Sequence, residues 1–311
     1  MIKVIVSSKT IENFKAQILS NFYDKKGKDK IFKKNEKNNK WTISLLEINK
    51  LLKDKLKSYP KEIDLEKLIT LDYKELCGLK DFIDNNKDLT ELTETQKDYF
   101  YTLYKRLKKP EYIKDLDITV CPYCNRNYIF NFKKIDSLEA TAQLDHFFDK
   151  STYPYFSVTI FNLVPSCQTC NQRKSKKTDV IYHPFSESLN DDVKFKLKLK
   201  DSKFYYDKNS LKIVTEVNKN KEKVVNSHIE TFNIQNLYNE HKDIVLELIQ
   251  KAQIYNESYI DELYQKYEGT LFKNREDVLR HITGGYIEDK DINKRPLSKL
   301  IKDISEELDL I

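Results

Sequence analysis

Four of the five cysteines in this 311-residue chain fall in two identically spaced pairs, Cys121-Pro-Tyr-Cys124 and Cys167-Gln-Thr-Cys170. Two residues between cysteines let both thiolates of a tight turn face one ion. Two such knuckles complete a tetrahedral sulfur cage for Zn²⁺. With Cys121, Cys124, Cys167 and Cys170 as its ligands, the ion has no open position and is structural. A redox CxxC is the competing reading, and two copies without a thioredoxin-like βαβ context argue against it. Cys77 is left over, and a small buried apolar role is expected of it.

The 42 residues between the pairs contain Leu144-Asp145-His146-Phe147 and Asn162-Leu163-Val164-Pro165-Ser166, and the second pair runs on into Asn171-Gln172-Arg173-Lys174. A carboxylate, an imidazole and two carboxamides are thus tied to one staple. Carboxylate and amide oxygens are hard donors that suit Mg²⁺ or Mn²⁺. An imidazole with an ordinary pKa of about 6.5 suits a general base at neutral pH. Asp-His alone is a common dipeptide. Its weight comes from lying 16 residues before Asn162 and 25 before Asn171, between the knuckles. Asn162 reads as more structural than chemical, since an asparagine at a strand-to-turn position normally bonds backbone. Asn171 directly follows a cysteine and would open a helix, with an N-cap as its competing role. Segment 125–177 holds eight Lys/Arg against four Asp/Glu, +4 of a whole-chain excess of 55 − 49 = +6. That bias favours polyanions, and Arg126 and Arg173, flanking the knuckles, are candidate phosphate contacts. His183 reads as packing before site lining, and His228, His241 and His281 as ordinary helical residues.

The string CPYC…LDHFFDKSTYP…NLVPSCQTCNQRK resembles the HNH, or ββα-metal (His-Me finger), endonucleases, specifically those whose finger is framed by a four-cysteine zinc site. Within that superfamily it is most similar to standalone bacterial HNH proteins of anti-phage defence islands, including Septu-type nuclease subunits that pair with an ATPase. The resemblance covers residues 121–177, and RPLSKLIKDI at 295–304 is similar to the same group at lower specificity. It implies a metal-dependent endonuclease hydrolysing nucleic-acid phosphodiesters, DNA before RNA, as a defence effector. Position by position, Asp145 matches the metal-binding carboxylate and His146 the general base. Asn162 matches the asparagine that braces the loop holding the base. Asn171 matches the final metal ligand, a His in other members, and Lys174 a phosphate contact. Structural Zn²⁺ and a catalytic Mg²⁺ or Mn²⁺ on Asp145 and Asn171 follow, with 5′-phosphate and 3′-hydroxyl products and one strand cut per finger. Asp149 stands where close relatives carry proline, which adds a negative charge near the metal. A reading from a different class is a catalytically silent zinc-finger nucleic-acid-binding or adaptor subunit of a defence complex. A third is an enzyme inert until an ATPase partner senses phage.

The elements that must position these residues form an α+β chain, in which a ββα-metal finger sits in a mainly helical scaffold with a small β-hairpin. The expected divisions are 1–118 helical, 119–185 the finger, 186–225 a hairpin region and 226–311 helical. Leu45, Ile48, Leu52 and Leu56 recur at helical spacing, and Thr93-x-x-Gln96 has capping-box form. Residues 24–40 read as a solvated charged loop, and Tyr128-Ile129-Phe130 as strand-like. Phe195 to Leu199 and Lys212 to Val217 make a hairpin across Asp207-Lys208-Asn209. Ile244, Leu248, Ala252, Tyr255 and Tyr259 form one helical face, and Gly284-Gly285 stops the helix holding Val278 and Ile282. A last helix begins at Pro296, its stripe of Leu297, Ile301, Ile304 and Leu308 packing within the molecule. Aromatics at 12% argue against wholesale disorder. With no signal-peptide pattern and no long apolar run, a cytoplasmic protein without membrane attachment is expected. Nucleic acid is the expected partner, an ATPase subunit a second one, and oligomerisation is left open.

Overall fold

The computed structural model describes residues 2–36, 39–135, 137–175 and 181–311. Local signals set the helix starts of the N-terminal part. Helix α1 (Ser8–Leu19) begins where the Ser7 hydroxyl accepts the Thr10 amide. Strands β1 (Phe32–Glu36) and β2 (Asn39–Ile43) pair as an antiparallel hairpin. Helix α2 (Leu45–Lys55) opens on a reciprocal Ser44–Glu47 box. Helices α3 (Leu65–Thr70) and α4 (Tyr73–Asn85) start on the side chains of Asp64 and Asp72, and α5 (Lys87–Thr90) is a single turn. Helix α6 (Glu94–Arg106) starts at the expected Thr93–Gln96 box, and α7 (Lys109–Asp115) carries Pro110 in its first turn.

The hairpin corrects the expectation of a solvated loop over 24–40. Residues 24–31 are exposed, but Phe32 is buried with its ring 5.0 Å from Trp41. The Lys34 ammonium and the Trp41 indole N–H converge on one Asp98 carboxylate oxygen of α6, at 2.8 and 2.7 Å. The partners that make Lys34 an inward residue lie 57 to 64 positions away, beyond the reach of a local charge count.

In the centre, β3 (Asn131–Lys134) pairs with β4 (Ser137–Ala140). Strand β5 (Gln143–His146) pairs antiparallel with β6 (Leu163–Ser166), with Asp145 opposite Val164 and His146 opposite Leu163. Helix α8 (Gln168–Lys174) follows directly. The strand expected at 128–130 begins three residues later, and Tyr128 makes only an isolated bridge to Val120. The turns Pro154–Val158 and Ile160–Asn162, between β5 and β6, pack on α3, α4 and α6.

Strands β7 (Val193–Leu199) and β8 (Leu211–Val217) form the expected hairpin, with Phe195 opposite Thr215. Helices α9 (Glu222–Phe232), α10 (Ile234–Asn239), α11 (Lys242–Ile254), α12 (Glu257–Tyr267), α13 (Arg275–Thr283) and α14 (Ser298–Glu307) complete the chain. The single face expected from Ile244 to Tyr259 is broken. Asn256 caps a new helix with its side chain, so Tyr259 belongs to α12. Gly284, at φ 78°, stops α13 as expected. At Gly285 a Cβ would lie 2.8 Å from Ile301, so glycine there lets the chain close on α14. Helix α14 starts at Ser298 rather than Pro296, and Leu297, Ile301 and Ile304 are buried, so this stripe packs within the molecule, against β7 and α11. One connected buried cluster runs from Val4 to Leu310 and draws on all four sequence divisions. Among the described residues, no helix is long and apolar enough to cross a membrane.

Candidate functional site

The two cysteine pairs converge. The Sγ atoms of Cys121, Cys124, Cys167 and Cys170 all lie within 4.8 Å of one another, and all four residues are buried. Tetrahedral Zn–S bonds of about 2.3 Å place sulfurs roughly 3.8 Å apart, so the cluster closes on an ion with little adjustment. The Arg126 amide lies 3.4 Å from Cys124 Sγ, and the Asn127 side-chain amide 3.2 Å from Cys167 Sγ. Such donors favour thiolate over thiol. This all-sulfur donor set fits Zn²⁺. The first knuckle turns through Asn125 at φ 48°, whose amide donates to the Cys121 carbonyl at 2.8 Å.

The C-terminal part claims the polar groups of that turn. Tyr238 of α10 donates its hydroxyl to the Cys124 carbonyl at 2.6 Å, and His228 of α9 donates from Nε2 to the Tyr123 carbonyl at 2.8 Å. Asn125 donates its side-chain amide to the Ile292 carbonyl at 2.9 Å. Its carbonyl accepts the Leu297 amide at 2.6 Å, and its Oδ1 accepts the Lys299 amide at 3.1 Å. Helix α14 has no side-chain cap of its own, so the knuckle satisfies one of its free N-terminal amides.

Beside the cluster, Asp145 and His146 of β5 and Asn171 of α8 line an open cleft of about 540 Å³ together with Tyr104, Lys109 and Lys150. Asp145 is buried. Its Oδ2 accepts the Tyr123 hydroxyl at 2.7 Å and the Lys174 ammonium at 3.1 Å, and its Oδ1 accepts Lys174 at 3.2 Å. Burial raises its carboxyl above the usual range, opposed by Lys174 and Tyr123. The His146 ring stands edge-on to Tyr104 at 4.5 Å. Burial, helped by the charge of Lys150, lowers the imidazole to about 3, against the pull of a backbone hydrogen bond at Ser157. His146 is therefore neutral at pH 7. Among the described residues its buried Nε2 has no partner, so the Ser157 bond falls to Nδ1 and leaves the Nε2 lone pair free.

Asn162 bonds only backbone through its side chain. Fully buried, it accepts the Phe148 amide at 2.7 Å and donates to the carbonyls of Phe148 (3.1 Å) and Phe156 (3.0 Å), while its own carbonyl takes the Phe147 amide at 2.8 Å. These bonds fix the loop that leaves His146. Asn171 does not open or cap its helix; Cys167 holds the N-cap position. Its side-chain amide donates to Gln143 Oε1 at 2.7 Å, which orients an amide oxygen that accepts no hydrogen bond among the described residues. A carboxylate oxygen has two acceptor sites, so Asp145 Oδ1 retains one. That site and the Asn171 oxygen are hard donors in one cleft, and they fit a divalent cation that keeps most of its water.

The expected phosphate contacts are not brought together here. Lys174 is fully buried; besides gripping Asp145 it donates to the His146 carbonyl at 3.0 Å and lies over the Phe147 ring. It is an internal counter-charge and cannot meet a phosphate at the surface. Arg173 is exposed on α8 but outside the cleft wall. Arg126 is half-buried, its charge acting on Tyr238 and His241, again outside the cleft. The end of the expected finger, 176–177, lies outside the described residues. The cations that do line the cleft, Lys109 and Lys150, were not singled out. Lys150 follows Asp145-His146 closely enough to have been flagged, whereas nothing local marks Lys109. Asp149 also lines the cleft, and its Oδ2 accepts the amides of Ser151 and Thr152, each at 3.1 Å. His183 is packing, stacked 3.9 Å from Tyr73 with Nε2 bonded to the Phe161 carbonyl at 2.9 Å. Cys77 is half-buried, and burial raises its thiol.

The chain matches no protein-family model, no curated protein and no solved structure.

Proposed function

We propose that this protein is a metal-dependent endonuclease of the HNH type that hydrolyses nucleic-acid phosphodiester bonds, DNA foremost, with His146 as its general base. The observation that carries this is the neutral imidazole of His146, its Nε2 unpartnered, in one cleft with Asp145 and the oriented oxygen of Asn171. The order of elements supports it too: β5 bears Asp145-His146, the turn just before β6 ends in Asn162, and α8 bears Asn171 directly after the second of two cysteine pairs that close on one another. A bound Mg²⁺ or Mn²⁺, held by Asp145 and Asn171 with water, would supply charge neutralisation at a phosphate oxygen and the leaving oxygen. His146 Nε2 takes the proton of the attacking water. Asn162 keeps the base in place through the loop at 147–148, and Tyr123 and Lys174 fix the Asp145 carboxylate. A role as effector of bacterial anti-phage defence, paired with an ATPase subunit, rests on the sequence resemblance.

One observation favours a second reading, a finger that binds nucleic acid without turnover. Lys174 already neutralises Asp145 from within the fold, as a fixed cation does. Nicking of supercoiled plasmid separates the two. Under Mg²⁺ or Mn²⁺ the wild-type chain should nick, and His146→Ala should cut about a hundredfold more slowly with zinc content and melting temperature retained. A wild-type chain that binds but never nicks makes the silent finger correct. Wild-type speed in His146→Ala removes the base assignment.

A further inference from the structure

We infer that Lys109 and Lys150 form a two-lysine clamp for a nucleic-acid backbone phosphate at the mouth of the His146 cleft. The inference rests on the nuclease or binding reading of that cleft and names the groups that hold the polyanion there. Lys109 stands at the start of α7, and Lys150 lies four residues beyond His146. They reach the same ring and the same cleft from segments 41 residues apart. The Lys109 ammonium lies 4.4 Å from the Tyr104 ring centroid and that of Lys150 5.1 Å from the same centroid. The Tyr104 ring in turn contacts the imidazole of His146.

Two like charges over one ring repel. Among the described residues neither forms an ion pair, although Asp145 and Asp149 share the cleft. Asp145 is taken up by Lys174 and Tyr123, and Asp149 by the turn at 151–152. The Lys109 pKa is lowered by burial and by the charge of Lys150. The backbone of Lys150 is held by the Tyr101 hydroxyl, which donates to its carbonyl at 2.9 Å. Long lysine stems often cover an aromatic ring simply for packing. Here two ammoniums meet at one ring with no carboxylate paired to either among the described residues, an arrangement that a bound anion would relieve. A phosphodiester is that anion, and an ammonium meets it as a point charge without reading sequence.

The test replaces both lysines by methionine, which keeps the apolar stems over Tyr104. Binding of a fluorescent 20-base-pair duplex is measured without added Mg²⁺ or Mn²⁺, so that no cleavage intervenes and the structural zinc stays in place, across a salt series, with single-stranded DNA and RNA of the same sequence as parallel arms. The double variant should bind the preferred nucleic acid roughly tenfold more weakly, and its slope of log affinity against log salt should fall by about two phosphate contacts. Zinc content and melting temperature should not move. Equal affinity and equal salt slope in the two proteins would overturn the clamp, even if the wild type nicks plasmid. A wild type that binds in a lysine-dependent way but never nicks keeps the clamp and rejects hydrolysis alone. A wild type that binds none of the three nucleic acids rejects both.

Discussion

The cysteine cluster and the cleft meet at α8, which carries both Cys170 and Asn171, yet the backbone of the first knuckle and the cleft treat polar atoms differently. Around the first knuckle, the Cys124 and Tyr123 carbonyls and both the carbonyl and side chain of Asn125 have a partner, most of them from residues beyond position 228. In the cleft, among the described residues, the Nε2 of His146 has none, the Asn171 oxygen accepts no hydrogen bond, and two lysines face one ring without a counter-ion. A buried polar atom left unpaired costs free energy, and the knuckle backbone avoids that cost through bonds from distant residues, whereas the imidazole of His146 does not.

The largest effect should come from opening the closed side. About one Zn²⁺ per chain should copurify, and Cys167→Ser should leave the protein unfolded or insoluble. Structural zinc contributes on the order of 10 kcal/mol or more, comparable with the whole stability of a domain. A folded, soluble preparation shown by elemental analysis to lack zinc would end the idea that the sulfur cluster is a metal staple. Next comes the clamp that holds α14 to β7. Asp303 bonds the Lys299 ammonium at 2.7 Å and accepts the Phe195 amide at 2.8 Å, with both charged groups buried. Asp303→Ala strands a buried cation and should cost about 3–5 kcal/mol in denaturant unfolding. No measurable loss would show that α14 is held by apolar contact alone. The hundredfold rate loss expected of His146→Ala, on the open side, is worth less than 3 kcal/mol by the usual conversion of about 1.4 kcal/mol per factor of ten, and should leave stability untouched.

The smallest effect is in pH dependence. His183, buried between Tyr73 and Phe147 with the charge of Lys174 also acting on it, has its imidazole lowered to about 3. The unfolded chain takes up that proton below about 6.5 while the folded one does not. Its contribution is therefore intact above that pH and is lost as pH falls from about 6.5 toward 3, by up to about 1.4 kcal/mol per unit. His183→Gln, which can still donate to the Phe161 carbonyl, should show a shallower loss of stability between pH 6.5 and 5 than wild type. Parallel slopes would mean that His183 is protonated in the folded state.

Features that depend on a few neighbouring residues were legible in the sequence. The paired cysteines, the Thr93–Gln96 box, the Gly284 stop, the β7–β8 hairpin and the backbone-bracing Asn162 all fall within one turn or one loop. What was illegible depends on distant partners. Lys34 turns inward because Asp98 waits 64 residues away, and Lys174 is internal because Asp145 lies 29 residues before it. Nothing in Lys-Lys-Pro announces that Lys109 will stand over the same ring as Lys150. The break at Asn256 is the exception, a local capping signal hidden by an apolar stripe that continued through it.

The bond from Lys299 to Asn125 spans 174 residues, and the one from Tyr238 to Cys124 spans 114. During synthesis the first knuckle leaves the ribosome long before these partners exist, while its second pair of cysteines is available some 40 residues later. Contacts of such sequence separation form late, because the intervening chain must be ordered first. The sulfur cluster can gather its ion early, but the turn beneath it stays unclamped until the last helix has been made. A truncated chain would thus carry the cysteines, the histidine and the cleft residues in their correct order without the tail that locks the knuckle to the core.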